Sequence, residues 1–376
     1  MKSITGAEVS GAEVSGAEGS GARPGRRDSG QVLVTATGAA HAQPVTRTRK
    51  VTFGEACRLA LEEALEADPS VFILGEDIGD AETGGTFKVT KGLSTRFGTD
   101  RVRTTPISEQ AIIGAAIGAA IAGMRPVAEI MLMNFITVAM DQIVNHAAKL
   151  RFMSGGQTAV PITIRTATGA GRGTGAQHSD MLEAWFAHMP GLKVVMPSSP
   201  AEAKGLLLSC IFDDDPCIFV EKKEIYGMRG ELGEPGERIP LGQARVARRG
   251  EHVTVIAYGG AVGESLAAAA QLAQEGIEAE VIDLRTISPW DRETVLSSVG
   301  RTKRAVVVHE AVRQFGVGAE ISATIHEELF GELAAPVRRV ASKNLPVPFS
   351  PALERLFLYS RDDIERAVRT VAGASR

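Results

Sequence analysis

The sequence has few cysteines. Cys57, Cys210 and Cys217 are the three among 376 residues, an odd number with no Cys-x-x-Cys spacing. This pattern is typical neither of a disulfide framework nor of a cysteine-based zinc site. It indicates buried, reduced thiols, and we therefore expect a cytoplasmic protein.

Dense positive charge and long apolar runs are also missing. The net charge is −4, the sequence pI is about 6.1, and the basic residues form no stripe along the chain. The apolar run at 111–124 is too short to cross a bilayer, which takes roughly 20 residues. We therefore expect neither nucleic acid nor a membrane among the partners. With 44% hydrophobic residues, most of the chain can bury a core.

The first 48 residues differ in composition from the rest. The sequence Gly-Ala-Glu-Val-Ser at 6–10 recurs at 11–15 and, with one change, at 16–20. Such a segment buries too little apolar surface to offset its ordering entropy, so residues 1–48 are predicted to be a disordered low-complexity tail. The segment also lacks the apolar centre of a secretory signal.

From residue 49 onward, apolar segments of strand length alternate with helical ones. This alternation predicts an α/β fold with a largely parallel sheet. A segment rich in Gly and Pro separates two blocks, so we predict domains at 49–228 and 251–376, joined by a linker at 229–250. We also expect a helix that ends at Ala67 and is capped by Thr52, and a single helix over 135–153.

The stretch most indicative of chemistry leads into Glu109. Pro106 fixes the entry to a predicted helix, Ser108 can cap its first amides, and Glu109 lies in its first turn. Almost all the following residues are Ala, Gly or Ile. The carboxylate would therefore lie at the edge of a tightly packed apolar interior, where carboxyl pKa values shift. The alternative is that Glu109 only complements the helix dipole.

Other candidate side chains lie at the carboxyl ends of predicted strands, where ligands of α/β proteins collect. His178 follows a loop with glycine at alternate positions, and an imidazole can exchange protons near neutral pH. Phe135 follows a strand and can either stack on a ligand or anchor the core. Glu76 ends the first strand. The acidic run at 213–215 fits either a solvated turn or a set of oxygen ligands for a hard cation.

The glycine loop before His178 supports a competing hypothesis. Residues 171–176 read Gly-Arg-Gly-Thr-Gly-Ala and match the Gly-x-Gly-x-x-Ala dinucleotide fingerprint after a strand. No acid ends a strand about 20 residues further on, where a ribose partner is expected. A nicotinamide-dependent oxidoreductase is therefore the alternative function of another class.

Eight short motifs follow one another along residues 51–370. They are Leu-Gly-Glu-Asp-Ile-Gly at 74–79, Val-Thr-Lys-Gly-Leu at 89–93, Thr-Pro-Ile-Ser-Glu at 105–109, Gly-Met-Arg-Pro-Val at 123–127, Asp-Gln-Ile-Val-Asn at 141–145, Gln-His-Ser at 177–179, Pro-Gly-Leu-Lys-Val-Val at 190–195 and Asp-Leu-Arg-Thr-Ile at 283–287. In this order they resemble the beta subunits of the thiamine-dependent, decarboxylating component of 2-oxo acid dehydrogenase complexes. The resemblance implies a transketolase-like fold, with a thiamine-diphosphate pyrimidine-binding domain followed by a C-terminal transketolase domain.

The resemblance also implies a cofactor and partners. The family holds the diphosphate of thiamine diphosphate and its Mg²⁺ with a Gly-Asp-Gly motif, and this sequence contains none. An alpha subunit is therefore expected to hold most of that part of the cofactor, in an α2β2 heterotetramer. The substrate would be a small 2-oxo acid, and its acyl group would pass to a lipoyl-bearing acyltransferase.

The resemblance assigns roles to the candidate residues. Glu109 would hydrogen-bond the pyrimidine of the cofactor, and Phe135 would pack against it. His178 would help to position substrate and manage protons during acyl transfer, and Glu76 would lie in a polar tunnel between paired sites. Ile107 is a further predicted cofactor-binding residue. Some relatives bind a structural K⁺, mainly through main-chain oxygens, at positions that match Ile162, Cys210, Ile211, Asp213 and Asp215.

The choice of substrate rests on few residues. Phe135 favours pyruvate over branched-chain 2-oxo acids, whose enzymes often carry Tyr there. Asp180 stands where Gln is usual, and residues 165–171 are closer to acetoin dehydrogenases. We expect pyruvate, with branched-chain 2-oxo acids and acetoin as alternatives. A non-catalytic module that docks the acyltransferase is the remaining hypothesis.

Overall fold

The computed structural model describes residues 50–373, so the predicted tail at 1–48 lies outside the described residues. The strands are β1 Val51–Thr52, β2 Val71–Glu76, β3 Val102–Thr105, β4 Arg125–Leu132, β5 Thr163–Thr168, β6 Lys193–Val195, β7 Cys217–Lys222, β8 Arg229–Gly230, β9 Arg245–Arg248, β10 Val253–Ala257, β11 Ala279–Asp283, β12 Thr286–Ser288, β13 Ala305–Val312 and β14 Arg338–Ser342.

The helices alternate with these strands, as predicted. They are α1 Phe53–Ala67, α2 Leu93–Phe97, α3 Glu109–Ile121, α4 Met133–Ile136, α5 Ala148–Met153, α6 Glu183–Ala187, α7 Pro200–Ile211, α8 Gly260–Ala273, α9 Arg292–Thr302, α10 Val317–Leu329, α11 Pro351–Phe357 and α12 Arg361–Ala372. None of the helices within 50–373 is long and apolar enough to cross a membrane.

Two sheets, both largely parallel, form the centre of the fold. The first has the strand order β12-β6-β7-β5-β4-β2-β3, and only β12 runs antiparallel to its neighbour. The second has the order β14-β13-β10-β11-β9, with β9 antiparallel at the edge. The predicted α/β class is therefore confirmed. The segment at 229–250 carries two short strands, β8 paired with β1 and β9 in the second sheet.

Helix α1 shows how local sequence signals define an element. The Thr52 hydroxyl accepts a hydrogen bond from the Glu55 amide at 3.1 Å, which caps the helix as predicted. Its apolar residues recur at helical spacing and are buried against α7. Among them is Cys57, and all three thiols are buried and free, as predicted.

Residues 135–153 do not form the single predicted helix. Short α-helix α4 gives way to a 3₁₀ turn at Thr137–Ala139 and a π-helical turn at Gln142–Ala147 before α5 begins. The Thr137 hydroxyl donates to the Asn134 carbonyl at 2.6 Å and so competes with the regular helix ladder. Strand β5 begins at Thr163, two residues after Pro161, because proline has no amide hydrogen for the ladder.

A buried contact joins the two blocks. Glu183 on α6 is fully buried, and one of its carboxylate oxygens accepts a hydrogen bond at 2.7 Å from the hydroxyl of Tyr258, which follows β10. Burial raises the pKa of Glu183 to about 7 because the ionised form loses its hydration. Burial therefore favours the protonated carboxyl, although the hydrogen bond from Tyr258 acts in the opposite direction.

The Glu183→Gln variant should gain thermal stability relative to the parent as the pH rises. The native protein holds a proton on Glu183 between pH 4.5, the ordinary pKa, and about pH 7, so the parent loses stability across this interval. Glutamine cannot ionise. We expect the difference in Tm between variant and parent to increase from pH 5 to pH 8. The exposed control Glu327→Gln should show a constant difference, and equal behaviour of the two variants would contradict this assignment.

Candidate active site

Glu109 begins helix α3, which follows strand β3 after three intervening residues. Its side chain is half-buried, whereas that of Ile107 is 76% exposed. Ser108 occupies the N-cap position but makes no side-chain cap hydrogen bond, so that prediction is wrong. Its φ of −165° and ψ of 80° depart from the extended conformation of a typical capping residue. The amino end of α3 therefore presents a carboxylate beside an exposed apolar side chain.

Glu76 lies close to Glu109 because their strands are neighbours. Strands β2 and β3 run parallel, with Glu76 opposite Thr105, so both chains leave the sheet at the same edge. Burial raises the pKa of Glu76, and the negative charges of Asp77 and Glu109 add to the effect. The structure thus brings two predicted site carboxylates together, and the charge of Glu109 favours retention of a proton on Glu76.

Phe135 and His178 form the second part of the site. Phe135 follows β4, and His178 ends the loop after β5, the next strand in the sheet. Their rings meet edge to face, with centroids 5.4 Å apart and an interplanar angle of 76°. Both residues are half-buried. An aromatic face and an imidazole therefore share the edge of the sheet to which the neighbouring strands β2 and β3 also lead.

A reciprocal pair of hydrogen bonds fixes the backbone around these two rings. The Asn134 amide donates to a carboxylate oxygen of Asp180 at 2.9 Å, and the Asp180 amide donates back to the Asn134 side chain at 3.2 Å. Thr168 donates to the Asp180 carbonyl at 2.6 Å. The sequence singled out Asp180 only as an unusual residue, and it gave no signal that Asn134 was its partner.

A buried ion network lies inside the first sheet. The Arg165 guanidinium on β5 contacts Glu129 on β4 at 2.7 Å and Glu221 on β7 at 2.7 Å. The Tyr226 hydroxyl donates to Glu221 at 2.5 Å. Burial raises the pKa of Glu129, and the nearby Glu221 charge raises it further against the opposing effect of Arg165. Charges of alternating sign on three neighbouring strands thus replace part of the usual apolar core.

Removal of the cation from this network should be costly. Arg165→Met leaves two buried carboxylates without their ion pair, and we expect the free energy of unfolding to fall by about 3–5 kcal/mol. The control Arg96→Met breaks an exposed contact with Glu62 and Glu66 and should cost less than about 1 kcal/mol. Urea denaturation of both variants measures the difference, and equal losses would disprove the central role of Arg165.

The residues predicted to hold K⁺ do not bring their acidic side chains together as a set of metal ligands. Within 50–373 no group of three or more His, Cys, Asp or Glu side chains can hold a metal ion. Arg125 donates to the carbonyls of Ile211 and Asp213 at 3.4 and 2.9 Å, and Lys193 pairs with Asp213 and Asp215. The carbonyl of Ile162 accepts the Cys217 amide at 2.9 Å. The acidic turn at 213–215 therefore already has basic side chains beside it. K⁺ stays a prediction, with main-chain oxygens, including that of Cys210, as the expected ligands.

The glycine loop does not have the geometry of a dinucleotide site. That fingerprint requires the glycines to open a helix whose amino end receives the pyrophosphate. Here the loop leads into a three-residue 3₁₀ turn at Ala176–His178, and the next α-helix is α6, which has only five residues. The nicotinamide hypothesis thus loses its structural basis.

The two halves of the site suit a flat, polar heterocycle. Glu109 offers a carboxyl group at a half-buried position, and Phe135 offers a half-buried ring that packs against the apolar core. Such a pair can hydrogen-bond the edge of an aminopyrimidine and pack against its face. The exposed side chain of Ile107 extends this surface outward.

Comparisons with known proteins identify the two types of domain in the chain. Residues 49–228 match the transketolase pyrimidine binding domain, and residues 242–364 match the transketolase C-terminal domain. A solved structure described as a split gene transketolase, an inactive beta4 tetramer, has a TM-score of 0.71 and covers 87% of this chain and 100% of its own. At 24% sequence identity this likeness concerns the fold alone.

Two relatives are much more similar in sequence. The chain is 48% identical over 329 residues to the beta subunit of acetoin:2,6-dichlorophenolindophenol oxidoreductase from Cupriavidus necator, a match that covers 85% of this chain and 97% of the relative. It is 45% identical over 350 residues to subunit beta-2 of the mitochondrial pyruvate dehydrogenase E1 component from Oryza sativa subsp. japonica, with 90% and 93% covered.

Proposed function

Because this chain belongs to the family of transketolase-like beta subunits that includes those of pyruvate and acetoin dehydrogenases, we propose that it is the beta subunit of a thiamine-diphosphate-dependent 2-oxo acid dehydrogenase acting on pyruvate. The presence of both domain types also confirms the predicted transketolase-like fold. The observation that carries the proposal is the placement of a half-buried Glu109 and a half-buried Phe135 at one edge of the first sheet.

Each site residue has a distinct task in this proposal. Glu109 would hold a proton at a ring nitrogen of the cofactor pyrimidine, and Phe135 would orient that ring by packing against it. Thiamine diphosphate supplies, when bound, a nucleophilic carbon and an electron sink for decarboxylation. Glu76, whose pKa is raised by burial and neighbouring charge, would keep a proton close to Glu109.

His178 would act on the substrate side. Its edge-to-face contact with Phe135 fixes the direction of the imidazole, and the ring remains half-exposed for contact with a small 2-oxo acid. An imidazole so placed can hold or release a proton on the substrate oxygen as the acyl group leaves. We propose the lipoyl group of an acyltransferase as the acceptor.

An alpha subunit completes the site in this proposal. The chain has no Gly-Asp-Gly motif, and Ile107 presents its apolar side chain to solvent beside Glu109. An alpha subunit in an α2β2 heterotetramer would cover this surface and hold the diphosphate with Mg²⁺. The expected cytoplasmic location stays a prediction.

Glu109→Gln in the complex with its alpha subunit should abolish pyruvate decarboxylation, because an amide cannot transfer the proton that a carboxyl can. We expect kcat to fall by at least about 100-fold, while gel filtration shows an unchanged assembly. The matched control is Glu293→Gln, which alters the exposed first-turn glutamate of α9. Full activity of Glu109→Gln would favour the non-catalytic docking role.

Acetoin is the second candidate substrate, and Asp180 is the observation that favours it. The Asp180 carboxylate lies two residues after His178 and is held by the neutral amide of Asn134. A negative charge near the substrate position repels the carboxylate of a 2-oxo acid, but it does not repel an uncharged hydroxyketone. The acetoin-oxidising relative is also 48% identical to this chain.

Asp180→Gln tests which substrate the site selects. Loss of the carboxylate should raise kcat/KM for pyruvate several-fold and leave kcat/KM for acetoin within about twofold, since only pyruvate carries a negative charge. Asp141→Asn, an exposed change on the segment between α4 and α5, is the control. If the parent cleaves acetoin and not pyruvate, acetoin replaces pyruvate as the proposed substrate.

A further inference from the structure

The loop that carries His178 has little stiffness of its own. We call residues 169–179 the histidine loop. Its glycines at 169, 171, 173 and 175 all have positive φ, so each lies in a backbone region that favours glycine. A loop of this composition stays in one conformation only when its surroundings hold it. The contacts that hold it therefore determine where His178 lies.

Two consecutive buried lysines hold the loop from the end of β7. Lys222 donates to the Ala170 carbonyl at 2.9 Å. Lys223 donates to the carbonyl of His178 itself at 2.5 Å and to the Thr174 hydroxyl at 2.8 Å. Because the strand ends at Lys222 and a 3₁₀ turn begins at Lys223, both side chains reach the same loop.

Two buried glutamates of the C-terminal block hold the loop from the other side. Glu310 on β13 accepts the Ala170 amide at 2.7 Å and forms an ion pair with Lys222. Glu354 on α11 accepts the Gly173 amide at 3.0 Å. The start of the histidine loop, at Ala170, is thus held by the ion pair of Lys222 and Glu310. Its middle, at Gly173, is held by the carboxylate of Glu354.

Lys223 differs from Lys222 in its partners. Within residues 50–373 no carboxylate lies at salt-bridge distance from Lys223, so two uncharged oxygens hold its ammonium. Only 3% of the residue is exposed. Burial lowers the pKa of Lys223 to about 8, and the charge of Lys222 contributes to the same effect against the opposing charges of Glu310 and Glu354. A buried cation without a carboxylate partner costs stability, which is consistent with a role other than stabilisation.

We propose that Lys223 is a positioning residue for His178, and that its bonds to the His178 carbonyl and the Thr174 hydroxyl set the place of the imidazole for acyl transfer. The kinetic part of this inference rests on the proposed function. The structural part does not, because the two hydrogen bonds fix the histidine loop whatever reaction takes place. Thr174 extends the effect, since its hydroxyl also bonds Ser179 at 2.7 Å.

The test uses Lys223→Met in the assembled complex with the alpha subunit. Methionine keeps an unbranched side chain only one atom shorter than that of lysine and removes the donor. We expect kcat for acyl transfer to a lipoyl domain to fall about tenfold or more, because a small displacement of a catalytic group is costly. The KM for the lipoyl domain should be nearly unchanged. Decarboxylation measured with an artificial electron acceptor should stay within about twofold. Lys223→Arg, which keeps donors at this position, should restore most of the transfer.

A second readout does not depend on activity. Arg172 is an exposed trypsin site within the histidine loop, and cleavage there requires the loop to open. Lys223→Met should increase the rate of cleavage after Arg172 several-fold, as followed by mass spectrometry. Lys204→Met is the matched control, because Lys204 is equally buried but contacts Glu63 and the Glu234 carbonyl instead.

The outcomes separate the two proposals. Faster cleavage with selective loss of acyl transfer in Lys223→Met, and neither change in Lys204→Met, supports the positioning role. Unchanged cleavage together with unchanged transfer overturns it. A parent complex that turns over none of the substrates would overturn the proposed function, while the cleavage rates would still decide whether Lys223 holds the loop.

Discussion

The rest of the site depends on the ion pairs that the buried guanidinium of Arg165 forms. It bridges Glu129 and Glu221 and so links the three central strands β4, β5 and β7 through charge as well as through backbone hydrogen bonds. A one-residue slip of any of these strands would turn its charged side chain to the other face of the sheet. The network therefore specifies the register, and the register decides which residues end each strand.

The ends of these strands then determine where the site residues lie. Strand β4 leads to Asn134 and Phe135, strand β5 leads to the histidine loop, and strand β7 ends at the lysines that hold that loop. The side chains that touch one another come from separate segments that share one sheet edge. Their positions follow from a common cause, so a disturbance of the central strands would shift the ring contact and the loop together.

Much of the fold could be predicted because its signals are local. The Thr52 cap, the apolar spacing of α1 and the alternation of helices with strands each depend on a few neighbouring residues. Glu109 could be selected because it lies in the first turn of a predicted helix, and Phe135 and His178 because each follows a predicted strand. The break in the predicted helix over 135–153 could not, because its apolar composition is compatible with a continuous helix.

The contacts that tune the site were beyond prediction because they join distant segments. Lys223 and His178 are 45 residues apart in the chain, and Gly173 and Glu354 are 181 apart. A lysine at the end of a strand gives no sign of the carbonyl that it will contact. The resemblance supplied the roles of single residues, whereas these pairings needed the three-dimensional arrangement of both blocks.

The antiparallel strand β12 has a consequence for synthesis on the ribosome. It comes from the second block, yet it pairs with β6 and covers the edge of the first sheet. At typical translation rates, the interval between completion of β6 and of β12 is on the order of ten seconds. During that time the nascent chain carries an uncovered β-edge, which can pair with other chains. Translation speed over residues 196–288 and chaperone access therefore bear directly on how much of this protein reaches its native state.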